Sequence, residues 1–153
     1  MKNIKNFNPI VLARNALAAS GLMTLLNIIV VALHFSPIFP LSLMVPVNAA
    51  HFVFKYPEAV VDFFESYEQY QLAIPFFTFV MVILLLLLAY SYFRSAKKPG
   101  AIKIGFGVLV LDSLVLISSL EVSVTFVIEF IYHAILVYYV FKGIRALKAA
   151  KNV

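Results

Sequence analysis

The chain has 153 residues, of which 63% are hydrophobic and only 12% are charged, whereas soluble domains average about 45–50% and about 25%. A soluble domain of this length has too little interior to hide so much apolar surface, so the composition indicates a single membrane domain spanning residues 1–153. Cysteine is absent, which excludes disulfides and thiolate sites, and the net charge of +5 does not indicate nucleic-acid binding because the basic residues lie just outside the apolar runs.

Four segments are apolar enough to cross a bilayer as helices, which takes about 20 residues. They comprise about 15–35, 72–92, 104–121 and 122–141. The first follows Lys2, Lys5 and Arg14 and so resembles a secretion signal. At about 21 residues it is longer than a signal core of roughly 7–15, and no small-residue cleavage site follows it. We therefore predict a retained first span, and a tight antiparallel hairpin formed by the last two.

Basic residues flank the predicted spans and give their orientation. Of the 12 Lys and Arg residues, all but Lys55 fall into three clusters, before the first span, between the second and third, and after the fourth. The clusters are Lys2, Lys5 and Arg14; Arg94, Lys97, Lys98 and Lys103; and Lys142, Arg145, Lys148 and Lys151. The positive-inside rule predicts that both termini are cytoplasmic. The basic tail 142–153 is predicted to continue helically and to rest on anionic lipid.

Residues 36–71 form the only sizeable loop, on the outer side. Its first part, 37–54, is apolar but is interrupted by three prolines that each remove a backbone donor. We predict a partly buried or re-entrant segment, because a fifth span would place the basic residues between the second and third predicted spans on the outer side. From Pro57, apolar and acidic residues follow separate stripes, which predicts an amphipathic helix at the outer interface. Its acidic residues, which either cap the bundle or bind a partner, are Glu58, Asp62, Glu65 and Glu68.

The predicted spans contain three ionisable residues, Asp112, Glu129 and His133, and one amide, Asn27. Ionisable groups in a membrane span are unfavourable and usually face the interior of a bundle. From the helical rise, Asp112 and His133 each lie about 12 Å from the inner ends of adjacent spans. Glu129 lies one turn from His133 on the same face, and Asn27 lies near its level. The sequence predicts a carboxylate–imidazole–carboxylate cluster near the midplane, closed by the amide.

This cluster has a structural and a functional interpretation, which the sequence leaves open. Polar side chains between membrane helices can hold them together, at about 0.6–2 kcal/mol per hydrogen bond. Alternatively, the cluster binds a proton, a cation or a solute, since histidine titrates near neutrality. One His and two carboxylates could also hold a divalent ion, but the ligand set is small and we predict no metal. His34 and His51 are predicted to be interfacial residues at the outer end of the first span.

Motifs for catalysis are missing from the sequence. Gly105-Phe106-Gly107 opens the third span but lacks the strand–turn–helix setting of a nucleotide loop, so small residues there predict close helix packing. We therefore predict that the protein is not an enzyme and has no cofactor. A lipid-modifying reaction stays open, because Asp and His suffice for general acid–base chemistry.

Two stretches resemble an uncharacterised family of small four-helix membrane proteins from bacteria. The first is Asp112-Ser113-Leu114, and the second runs from Glu129-Phe130-Ile131-Tyr132-His133 through Leu136-Val137-Tyr138-Tyr139 to Gly143. Asn27, followed by Phe39-Pro40-Leu41-Ser42 and Pro46, is also similar to that pattern. The resemblance implies a four-span fold in a bacterial cell (inner) membrane, and the family has no assigned activity to transfer.

The sequence thus predicts an all-α four-helix transmembrane bundle with an outer amphipathic interfacial helix. The predicted function is to handle an ion, proton or small solute through Asp112, Glu129, His133 and Asn27. Because four short spans seldom enclose a pathway, this function implies a homo-oligomer or a subunit of a larger membrane complex. The alternative is a non-transporting accessory, interaction or immunity-type protein that works through the outer loop. No nucleic-acid partner is predicted.

Overall fold

The computed structural model describes residues 8–35, 42–55, 67–118 and 123–150. Within these ranges the chain is helical and contains no strand. The elements in chain order are α1 (Pro9–Ala32), α2 (Met44–Ala50) with a π-helical continuation (His51–Lys55), α3 (Tyr67–Ser95), a 3-10 turn (Pro99–Ala101), α4 (Ile102–Ser118) and α5 (Val124–Ala149).

Four helical segments are long and apolar enough to cross a membrane, which confirms the predicted all-α bundle. They are Pro9–Ala32, Leu72–Ser95, Pro99–Ser118 and Val124–Ala149. The first begins earlier than predicted because the Asn8 side chain accepts a hydrogen bond from the Ile10 N–H at 2.9 Å and Pro9 occupies the first helical position. The last begins where Ser123 caps it, and it continues helically into the basic tail, as far as Ala149.

The outer segment is helical in two described parts. The first is α2 with its continuation, 12 residues that extend for only about 18 Å, too short to cross a bilayer of about 30 Å. The second is the start of α3, where residues 67–71 belong to the same helix as the second span. The predicted interfacial helix began at Pro57, and its residues 57–66 lie outside the described residues.

Neighbouring long helices run antiparallel, so that the basic clusters meet. Arg14 near the start of α1 lies over the ring of Tyr92 near the end of α3, and Phe106 early in α4 packs near Phe141 late in α5. One end of the bundle, here called the basic end, therefore collects the described basic residues other than Lys55. These are Arg14, Arg94, Lys97, Lys98, Lys103, Lys142, Arg145 and Lys148. The opposite end is called the outer end.

Two apolar cores fill the bundle, one toward each end. The core toward the basic end is built from α1, α3, α4 and α5 together with Leu43, and includes Leu17, Leu109 and Val140. The core toward the outer end packs α2 against α1 and α3; its buried members are Ile28, Val31, Val47, Ala49, Ala50 and Met81. Between the two cores, the buried residues of α1 and α4 are polar.

A glycine, Gly143, permits a close contact between α1 and α5. A Cβ atom added at Gly143 would lie 2.5 Å from the Ala13 Cβ and 3.0 Å from the backbone carbonyl oxygen of Pro9. Neither the Ala13 Cβ nor the Pro9 carbonyl group can turn aside as a long side chain can, so any side chain at this position would push α1 and α5 apart. A Cβ atom added at Gly107 would meet nothing within 4 Å.

We predict that Gly143→Ala destabilises the bundle by about 1–3 kcal/mol, because the added methyl group overpacks the contact between α1 and α5. Thermal unfolding of the purified protein in detergent measures the effect. The matched control is Gly107→Ala, where the same change meets open space and is expected to be neutral or to stabilise by up to about 1 kcal/mol. Equal melting temperatures for the two variants would contradict the close contact.

Candidate functional site

The first turn of α2 lies in the middle of the bundle. Its preceding residue, Leu43, is fully buried and contacts Thr24, which lies ten residues, or about 15 Å, along α1 from Arg14. A bilayer core is about 30 Å thick, so α2 starts near half that depth. The first N–H groups of a helix have no acceptor within it, and a membrane interior offers no water to bind them.

Side chains from two other helices accept these hydrogen bonds. The Leu43 N–H donates to Thr24 Oγ1 at 2.9 Å. The Met44 and Val45 N–H groups donate to the two carboxylate oxygens of Asp112, Oδ2 and Oδ1, each at 2.8 Å. The next residue, Pro46, has no N–H to satisfy. Asp112 thus caps α2 from α4, and its carboxyl group lies at the positive end of the α2 dipole.

His133 holds the same carboxylate from α5. Its Nε2 atom lies 2.7 Å from Asp112 Oδ2, and its Nδ1 atom lies 2.8 Å from the backbone carbonyl oxygen of Glu129. A carbonyl oxygen only accepts, so the hydrogen bond to Glu129 places a proton on Nδ1. Both side chains are buried, with 2% of His133 and 1% of Asp112 exposed.

One proton occupies the hydrogen bond between Nε2 and Oδ2. If it resides on the imidazole, the pair is an imidazolium and a carboxylate; if it resides on the carboxyl group, both partners are neutral. The pair therefore has no net charge in either arrangement, which removes the large penalty of burying an isolated charge.

Two further side chains connect α1 to the start of α2. The Asn27 Nδ2 donates to Ser42 Oγ at 2.7 Å, and the Thr24 hydroxyl donates to the Ser20 carbonyl oxygen at 2.8 Å. The hydrogen bond to Ser20 orients the Thr24 hydroxyl group so that its oxygen can also accept the hydrogen bond from the Leu43 N–H. We refer to Thr24, Asn27, Ser42, Asp112 and His133 as the polar cluster.

The structure brings together two of the predicted ionisable residues. Asp112 and His133 are joined directly, at the common level that the helical rise predicts. Glu129 contributes its backbone carbonyl group; its side chain is half-buried, and within the described residues no hydrogen bond joins its carboxylate to Asp112 or His133. Asn27 contacts the cluster through Ser42.

Thr24 and Ser42 belong to the polar cluster but were not predicted as site residues. Thr24 lies three residues before Asn27, hence on the same face of α1, and this spacing is a signal that could have identified it. Ser42 lies four residues before Pro46, and a proline is suited to the first turn of a helix. No sequence pattern pairs either residue with its partner, because these contacts join separate elements.

The other predicted site residues fall elsewhere. Glu58, Asp62 and Glu65 lie outside the described residues, and Glu68 lies in the first turn of α3. His34 is exposed beyond the end of α1 with a positive φ of 59°, while His51 begins the π-helical segment. In the described part of the chain, no three His, Asp or Glu side chains come close enough to hold a metal ion.

Comparisons with known proteins give no relative from which a role could be transferred. No protein-family model matches the chain, and no curated protein and no solved structure matches it.

We predict that Thr24→Val destabilises the protein by about 1–3 kcal/mol, because the change leaves the buried Leu43 N–H without an acceptor. The threonine Thr78 provides the matched control: its hydroxyl donates to the Ile74 carbonyl oxygen in the same i−4 geometry. Thr78→Val removes that bond alone. Thermal unfolding in detergent should show a clearly larger loss for Thr24→Val, and equal losses would contradict the capping role of Thr24.

Proposed function

We propose that this protein handles protons in a bacterial cell membrane, and that Asp112 and His133 bind and release the proton. The observation that carries the proposal is that one buried carboxylate both shares a proton with His133 and caps the start of α2. In membrane transporters, ion sites are commonly built where a discontinuous helix begins or ends near the midplane. The hydrogen bonds of Asp112 support the same arrangement here.

A proton fits this site better than a metal ion or a solute. Both Asp112 oxygens already accept backbone N–H groups, and one of them also contacts His133. A larger ion would need ligands that these contacts occupy. The cluster also lies between two apolar cores, and its two ionisable side chains are buried. A proton needs no cavity of ligand size; in the proposed mechanism it would reach the pair by transfer along hydrogen bonds when α2 moves.

Proton binding would be coupled to the position of α2. A second proton on the pair gives an imidazolium beside a neutral carboxyl group, and the positive end of the α2 dipole then loses its negative partner. Loss of the shared proton has the opposite effect, because it leaves a full negative charge at that end. The proposed mechanism is that proton binding loosens the start of α2 and proton release holds it in place.

The basic end gives the proposed orientation. Lys and Arg residues favour the cytoplasmic side, so the basic end, and with it both termini, is assigned to the cytoplasm. The outer end, toward which α2 extends, then faces the other side. Four helices of this size seldom enclose a pathway, so the proposal includes assembly into a homo-oligomer or a larger membrane complex.

We predict that reconstituted protein conducts protons across liposomes and that His133→Gln abolishes the flux. Glutamine can still donate a hydrogen bond to Asp112 but does not titrate. Thr24→Val is the matched comparison, since it weakens the start of α2 and leaves the shared proton in place; its flux should be retained or raised. Flux is followed with an entrapped pH-sensitive dye, and gel filtration checks that each variant is folded.

An absence of flux in the wild type, with His133→Gln lowering only the melting temperature, would assign the polar cluster to a structural clamp. That result would favour the second candidate function, that of a non-transporting accessory, interaction or immunity-type protein working through the outer loop 36–71. The observation that favours it is that every N–H group at the start of α2 has an acceptor or is replaced by proline. Such a start fixes one end of the outer segment to the bundle.

For this second function, we predict that the acidic side chains of the outer segment contact the partner. Converting Glu58, Asp62, Glu65 and Glu68 to lysine should abolish site-specific crosslinking to the partner in intact cells, because like charges then face each other. The matched control converts Lys97, Lys98 and Lys103 at the basic end to glutamate, which should leave outer-side crosslinking intact. Equal loss in both variants would contradict a specific acidic surface.

A further inference from the structure

An apolar groove runs along the outside of the bundle between α1 and α3. Its volume is about 520 Å³, which is within the range of small-molecule sites. α1 lines it from Leu17 to Leu25, and α3 lines it from Val82 to Phe93. Gly21 forms part of its floor, and a Cβ atom added there would meet nothing within 4 Å. The groove is therefore open space next to a helix backbone.

The length and position of the groove match one leaflet of a bilayer. The stretch from Leu17 to Leu25 is eight residues, or about 12 Å, along α1, and half of a bilayer core is about 15 Å. The groove begins at the basic end, where Tyr92 and Phe93 line it. A membrane-spanning partner helix would contact the whole thickness of about 30 Å, so the dimensions favour a single lipid chain.

A positive charge lies at the basic end of the groove. The Arg14 guanidinium carbon is 5.3 Å from the ring centroid of Tyr92, which itself lines the groove. The Arg14 Nε atom is buried and has no hydrogen-bond partner in the described structure. Among the described residues, the single ion pair joins Asp112 to His133, so no carboxylate neutralises Arg14 there. An anion at this end would complement the charge of the Arg14 guanidinium.

We propose that this groove binds one acyl chain of an anionic phospholipid from the leaflet at the basic end, with the lipid phosphate on Arg14. Arginine is suited to phosphate because its fork of N–H donors matches the phosphate oxygens. The apolar walls take the chain, and the cation selects the headgroup. This site lies apart from the polar cluster and does not depend on proton handling.

Native mass spectrometry of the detergent-purified protein tests the proposal. Phosphatidylglycerol and phosphatidylcholine with identical chains are added in turn, and the retained lipid is counted for each variant. The wild type is expected to retain one phosphatidylglycerol at least about fivefold more strongly than phosphatidylcholine, the effect of one arginine near the membrane surface. Arg14→Gln should abolish this preference, and Gly21→Leu should abolish retention of both lipids by filling the groove.

Two control variants make the outcome specific. Gly107→Leu makes the same change at another open glycine, outside the groove. Lys142→Gln removes a similar cation, which lies 5.8 Å from the ring centroid of Tyr138 on α5. Both should bind lipid as the wild type does. Equal retention of the two lipids by the wild type, or equal binding by Gly21→Leu and Gly107→Leu, would overturn the proposal. So would a lipid-free dimer that Gly21→Leu dissociates, which would assign the groove to a second copy of the chain.

Discussion

A helix that begins inside a membrane depends on acceptors for its first N–H groups, and here Asp112 supplies two of them. The α2 helix has no side-chain cap of its own, because Leu43 occupies the capping position. Without Asp112 and Thr24, its first turn would leave three donors unsatisfied at a depth where water is absent. The position of α2, and with it the core that α2 forms with α1 and α3, depends on these side chains. Asp112 in turn depends on His133, because a buried carboxylate needs a partner to share or balance its charge.

The structural and the functional interpretations of the polar cluster are compatible. A clamp built only from amides and hydroxyls, such as the contact of Asn27 with Ser42, has the same strength at every pH. A clamp that includes Asp112 and His133 contains a proton that can be gained or lost, so its strength changes with the protonation state. The carbonyl group of Glu129 fixes one imidazole nitrogen as a donor, and the other nitrogen faces Asp112, where the proposed function places the proton that is bound and released. The proposed coupling between proton binding and the position of α2 requires an ionisable pair at the start of that helix, and Asp112 and His133 are such a pair.

The sequence predicted the long-range features of the bundle better than the contacts of the short segment. Helices have a fixed rise, so counting residues from the basic clusters predicted that Asp112 and His133 lie at one level. The same periodicity placed Glu129 beside His133, but it could not tell that the backbone carbonyl rather than the carboxylate makes the contact. The role of Asp112 as the cap of α2 was beyond prediction, because residues 44 and 112 share no local pattern and meet through tertiary packing alone. The predicted first span begins too late because it places Arg14 outside the helix, although a charge at the basic end is compatible with a helix that starts at Pro9.

The gap between α1 and α3 is used differently in the two halves of the bundle. Toward the outer end, α2 fills it, and Val47 and Ala50 pack with Ile28, Val31 and Met81. Toward the basic end, the same gap continues as the open groove, and Leu85 both packs against the α2 core and lines the groove. The close contact at Gly143 holds α1 against α5 at this end. The proposed acyl chain in the groove and α2 in the outer half would together complete one continuous layer between α1 and α3, with lipid on one side of the midplane and the chain's own helix on the other.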